Sequence, residues 1–136
     1  MNDLSYSKAK QLARPRQKRE GVKKEAVLQS QAEAYLKLRN IPFIRIPDSA
    51  YAVIFGQQRM SNKDKAFLAA FLKGLPDLTI FKKHGDYNLS LCIELKSKDG
   101  KLSHHQQHWS ERVRTVVIRT FEEFVKAVDE FEKEGV

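Results

Sequence analysis

The run Leu89-Ser90-Leu91-Cys92-Ile93-Glu94-Leu95-Lys96 reads as a buried strand, yet it holds an acid and a base at alternate positions. Side chains alternate across a strand, so Ile93 and Leu95 share one face and Glu94 and Lys96 the other. The first face demands apolar packing. The second sets a carboxylate beside an ammonium, although glutamate and lysine are disfavoured in strands and are rarely buried without partners. A polar turn with Gly85, Asp86 and Asn88 precedes the run, and Leu78-Thr79-Ile80-Phe81 stands before that turn. The two apolar runs are therefore expected to form a hairpin. Such a hairpin brings Asp77, just ahead of its first strand, close to the charged face.

The flanking segments say what covers the sheet. Leu28, Ala32, Tyr35 and Leu36 recur at spacings of three and four, which predicts a helix from about Lys24 to Asn40. Asn40 and Pro42 end it, and Phe43-Ile44-Arg45-Ile46 follows as a short strand closed by Pro47-Asp48. The stretch from Asp48 to Met60 is hard to assign from its pattern, and Tyr51-Ala52-Val53-Ile54-Phe55 could be another strand. Ser61 or Asn62 caps a helix running to Leu72, and Gly74 closes it. Ser103 caps another helix, from about His104 to Arg112, and Thr115-Val116-Val117-Ile118-Arg119 is a β-branched buried strand. Thr120, with Glu123 three residues on, opens a last helix whose stripe is Phe121, Phe124, Val125, Val128 and Phe131. The order α-β-(α)-β-β-α-β-α calls for an α/β fold, a central mixed sheet of about four strands flanked by helices.

The 136 residues fit one domain. No apolar run approaches the ~20 residues of a membrane span, and no secretory signal is visible. One cysteine, Cys92, leaves no internal disulfide, so an intracellular, cytoplasmic location is expected. Of the net charge of +8, residues 1–24 account for +6, with eight Lys and Arg against Asp3 and Glu20. These residues are expected to be a basic flexible arm drawn to polyphosphate, ahead of a globular domain over 25–136.

Two carboxylates and an ammonium at one sheet edge suit phosphodiester hydrolysis. Carboxylate oxygens bind a hard divalent cation. A bound cation offsets charge on a phosphate and lowers the pKa of an attacking water. Lys96 can orient that water or stabilise the anionic transition state.

With these residues in place, the sequence resembles the virus-type replication-repair nucleases (the VRR-Nuc group) of the PD-(D/E)xK superfamily. Pro76-Asp77 and Glu94-Leu95-Lys96 reproduce the superfamily motif. Gly74-Leu75-Pro76-Asp77-Leu78, Gly100-Lys101-Leu102-Ser103, the Ser103-x-x-Gln106-x-x-Trp109 spacing and Arg119-Thr120-Phe121-Glu122-Glu123 match the group more narrowly. The likeness spans most of residues 25–128, with a longer segment from Asp48 to Lys73 and a shorter one between Trp109 and Val116. It implies a restriction-endonuclease-like fold and a Mg²⁺- or Mn²⁺-dependent endodeoxyribonuclease, with Asp77 and Glu94 as metal ligands and Lys96 assisting the water. It also implies a metal role for Glu25 on the first helix and for the backbone carbonyl of Leu95, and a place beside the active site for Gln106. Small stand-alone members suggest a homodimer acting on branched DNA such as a Holliday junction, from a viral or phage source. A non-catalytic DNA-binding module on the same fold, or an exonuclease or flap nuclease, is the alternative.

Other polar features have plainer readings. Pro47-Asp48 follows a strand rather than preceding one, and no E-x-K lies in register after it. His104 and His108 share a helix face, but with no cysteine or matching histidine pair nearby, they and His105 are read as polar residues on the surface of a helix rather than a zinc site. Trp109 is read as core. Lys63, Lys65 and Lys73 form either a solvated helix face or a contact for DNA backbone.

Overall fold

The computed structural model describes residues 3–12, 24–46 and 50–134. Along the chain run α1 (Asp3–Leu12), α2 (Lys24–Leu38), β1 (Phe43–Arg45), α3 (Ala50–Phe55) and α4 (Asn62–Leu72). They are followed by β2 (Leu78–His84), β3 (Tyr87–Leu95), α5 (His104–Arg112), β4 (Thr115–Ile118) and α6 (Phe121–Lys133). The strands form one sheet in the order β1-β2-β3-β4. β1, β2 and β3 pair antiparallel, whereas β4 runs parallel to β3. A parallel neighbour needs a crossover, and α5 supplies it. A four-stranded mixed sheet flanked by helices is the restriction-endonuclease-like α/β architecture expected above.

The hairpin is longer than the two apolar runs. His84 pairs with Tyr87, so Gly85 and Asp86 alone make the turn. Gly85 has φ +60° while Asp86 stays at negative φ, the combination of a type II′ turn, whose twist matches that of the strands.

One sheet face builds the core. Leu78, Ile80, Leu91, Ile93 and Leu95 are all buried there. Against them lie Leu28, Ala32, Tyr35 and Leu36 of α2 and Phe121, Phe124, Val125, Val128 and Phe131 of α6. Both helical stripes are those read from the spacing. Fully burying a large apolar side chain contributes about 1.5–3 kcal/mol, so this layer dominates stability. Tyr35 meets Phe124 edge to face, centroids 6.1 Å apart. Its hydroxyl accepts from Arg39 Nη1 (2.5 Å) and donates to Asp129 Oδ1 (3.2 Å). Burial and the Asp129 charge push that phenol up to about 12, so it stays protonated and the polar tip of a core residue keeps its partners.

Asn40 ends α2 at φ +56°, with Ile41 N–H bonded to Leu36 O (2.9 Å) and Asn40 N–H to Lys37 O (3.1 Å). These two bonds make a Schellman motif, and asparagine is one of the few residues that adopts the conformation it needs.

Two expectations are corrected. Tyr51–Phe55, left open by the sequence with a strand as one assignment, lies in helix α3. A short apolar run cannot be assigned by period alone, and this one packs with α4 instead of joining the sheet. Asp3–Leu12, read as part of a free arm, is helix α1, lying against α2. Ala9 is fully buried, and Tyr6 stacks on Phe121 with centroids 4.9 Å apart. The rest of the expected arm before Lys24, and the Pro47-Asp48 strand end, lie outside the described residues. Among the described residues no helix is long and apolar enough to cross a membrane.

Candidate active site

The hairpin register makes the site. Leu78 pairs with Ile93, so the residue before the one stands opposite the residue after the other, and these are Asp77 and Glu94. Asp77 Oδ2 accepts a hydrogen bond from Leu95 N–H at 2.7 Å, which carries the ladder one step beyond β2. Gly74 sets the turn that delivers Asp77. It has φ +82°, and a Cβ there would fall 2.6 Å from the carbonyl oxygen of His105. The Gly74-Leu75-Pro76-Asp77 turn is thus seated directly on the first turn of α5. Only glycine permits both the conformation and the approach.

Glu94 is only 3% exposed. Its Oε1 accepts from Gln106 Nε2 at 2.6 Å. Gln106 Oε1 in turn accepts from Ser103 N–H at 2.8 Å, while Ser103 Oγ receives Gln106 N–H at 3.2 Å. The reciprocal bonds form a capping box. Because the helix cap occupies its oxygen, Gln106 can present only its NH₂ to Glu94. Burial first, then the charge and hydrogen bond of Asp77, push the Glu94 carboxyl up to about 9; Lys96 opposes the shift and Glu25 adds weakly to it. Asp77, Glu94, Lys96 and Gln106 are therefore brought together.

Glu25 reaches the same end of the sheet by another route. Its Oε1 accepts from Ser97 N–H at 3.0 Å, in the loop that follows β3. Among the described residues no group of three or more His, Cys, Asp and Glu is arranged to hold a metal, so Glu25 does not close a three-acid set with Asp77 and Glu94. A hard divalent cation nonetheless fits the pair. Mg²⁺ is commonly bound by one or two carboxylates plus substrate phosphate, and a buried carboxyl that favours its proton beside a second acid is the state a cation relieves.

Among the described residues, the other singled-out side chains make no hydrogen bond to Asp77, Glu94 or Gln106. His104, His105 and His108 are exposed. Trp109 is half-buried, its Nε1 without a hydrogen-bond partner among the described residues. Cys92 is buried, and its sulfur accepts from Thr79 Oγ1 at 3.8 Å. Lys65 Nζ donates to Phe55 O at 3.1 Å, tying α4 to α3; Lys63 and Lys73 are exposed. One residue beside the site carried no signal of its own. Arg119, noted only within a motif, donates through Nη1 to the carbonyls of Ser97 (2.7 Å), Lys98 (3.3 Å) and Gly100 (2.6 Å). No local pattern reveals bonds to a loop some twenty positions away.

The model of one protein family, the VRR-NUC domain, matches residues 57–125, which is 69 of the 136 and just over half the chain. No curated protein and no solved structure matches. The matched span includes Asp77, Glu94, Lys96 and Gln106 and leaves Glu25 outside. The chain belongs to the VRR-NUC domain family, and its function is of the nuclease, DNA-processing type that this domain implies.

Proposed function

We propose that the protein is a Mg²⁺- or Mn²⁺-dependent endodeoxyribonuclease whose cation is held by the carboxylates of Asp77 and Glu94, with the Leu95 carbonyl beside them. One observation above all supports this reading: a buried glutamate and an aspartate face each other across a hairpin, next to a lysine on the same strand face. When bound, the cation supplies charge neutralisation at the phosphate and a more acidic attacking water. Lys96 orients that water or stabilises the anionic transition state. Gln106 holds the Glu94 carboxylate in one orientation, and Glu25 supports the site through Ser97.

The preferred substrate is branched DNA of the Holliday-junction type, cut by a homodimer. Val53 and Phe55 on α3 and Phe67 on α4, two helices in contact, are each more than half exposed, and a two-fold partner would bury them if they meet on one surface. A symmetric pair sets two active sites against two strands.

The test is cleavage of junction, flap, nicked and linear duplexes by wild type, Asp77→Ala and Lys96→Ala, with Mg²⁺, with Mn²⁺ or with EDTA. Wild type cuts the junction with either ion and not with EDTA, and both variants bind it but cut at least about 100-fold more slowly. If all three bind the junction and none cuts it, the chain is a DNA-binding module instead. Cutting confined to ends or flaps replaces the endonuclease reading with the exonuclease or flap one.

A further inference from the structure

Two grooves border Glu122 at the start of α6, and their charges differ. The first, of about 470 Å³, is lined by Glu122, Asp129 and Glu130 against Lys126 and Lys133. The second, of about 440 Å³, opens where α1, the start of α2 and the β4–α6 junction meet. Lys10, Lys24 and Arg119 line it against Glu122 alone. That one acid is already engaged by the Tyr6 hydroxyl (2.8 Å) and by Lys10 Nζ (3.5 Å). The α6 N-terminus is closed by its own cap, Thr120 Oγ1 receiving Glu123 N–H at 3.1 Å, so the basic side chains supply the attraction for an anion.

Arg119 connects this groove to the active site. Its three bonds to the Ser97–Gly100 loop all run through Nη1. Nη2 and Nε have no hydrogen-bond partner among the described residues, on a side chain that lines the groove. A guanidinium fork with donors to spare matches a phosphate in geometry as well as charge. The loop held by Nη1 also presents Ser97 N–H to Glu25, the neighbour of Lys24. The groove thus backs onto the loop that leaves the Glu94 strand.

We propose that this groove is a second contact for DNA: Lys24 and Arg119 take a backbone phosphate away from the scissile one, and Arg119 joins that contact to the loop after β3. The inference rests on the nuclease reading above and deepens it. A phosphate contact of this kind fixes the register of a strand without reading its sequence. The bound phosphate engages Nη2 and Nε while Nη1 keeps the loop in place.

Binding of a labelled, uncut DNA junction in EDTA, titrated with salt, tests the groove on the full chain. Lys24→Gln, Arg119→Ala and Arg119→Lys are compared with Lys126→Gln, which removes a cation from the acidic groove. Lys24→Gln and Arg119→Ala each weaken binding by several-fold and lower the slope of log K against log salt by about one. Lys126→Gln alters neither. Arg119→Lys keeps the charge and most of the salt slope, but speeds hydrogen exchange at the Ser97 and Gly100 amides because a lysine cannot gather three carbonyls. If Lys24→Gln and Arg119→Ala shift binding no more than Lys126→Gln does, the groove is not a DNA contact. Faster exchange in Arg119→Ala with unchanged affinity overturns it equally. Cleavage by wild type is read separately: failure to cut while the binding contrast persists removes the nuclease reading and leaves the groove standing.

Discussion

Gln106 and Glu94 are joined by a 2.6 Å hydrogen bond whose direction is set by a helix cap. A glutamine amide can turn either end toward a carboxylate. Here Ser103 N–H occupies the oxygen, so the NH₂ faces Glu94 at every moment the cap is closed. Gln106→Ala should cut cleavage by about 10–100-fold, the usual loss when a group that orients a metal ligand is removed, with DNA binding little changed. Ser103→Ala leaves Glu94 its donor and loses the cap, costing about 1 kcal/mol in a denaturant titration. If Gln106→Ala cleaves like wild type, the amide has no positioning role.

The Glu94 carboxyl titrates at about 9 in the folded chain against an ordinary 4.5. Between those values the folded state holds a proton that the unfolded state has released. Stability contributed by this group is therefore full at acid pH and declines as pH rises toward 9. Metal-free protein should show a falling denaturation midpoint from about pH 5 to about pH 9, and Glu94→Gln, neutral throughout, should flatten that fall. Mg²⁺ should restore stability at the alkaline end of wild type, since it binds only the folded pair. An equal slope in wild type and Glu94→Gln would remove Glu94 as its source.

Gly74→Ala combines a positive φ with a clash against backbone, His105 O at 2.6 Å. Backbone cannot swing aside as a side-chain tip can. The variant should lose about 1–3 kcal/mol of stability, and because the displaced turn carries Asp77, cleavage should fall by more than stability alone explains. A midpoint within experimental error of wild type would show that the turn and α5 are not seated on each other.

Legibility of the sequence followed the range of the forces involved. The stripes of α2 and α6 were readable because helical period and burial coincide at Leu28, Ala32, Tyr35 and Leu36 and at Phe121, Phe124, Val125, Val128 and Phe131. The Asp77–Glu94 pairing was readable because a hairpin turns a local turn signal into register. α1 was not: among its described side chains the contacts with the core come from Ala9 and Tyr6, set between lysines and serines that mark no stripe. α3 was not either, since five apolar residues in a row carry no period. Glu25 was expected to help hold a metal; its bond to Ser97 N–H depends instead on a loop whose shape no local motif encodes.

Phe67 is 71% exposed on α4, with Val53 (59%) and Phe55 (54%) on the neighbouring α3. Apolar groups so exposed gain about 25 cal/mol per Å² when covered, and a two-fold dimer would cover the same patch on both copies. Phe67→Glu puts a charge at the most exposed of these groups and should shift sedimentation from dimer toward monomer. Folding stability should move by no more than about 0.5 kcal/mol, because the side chain touches water in the single chain. Junction cutting should change with it, from paired incisions to single ones, since a monomer presents one site at a time. Wild type that sediments as a monomer at every concentration up to those used for cleavage, yet still makes paired cuts, would refute the dimer.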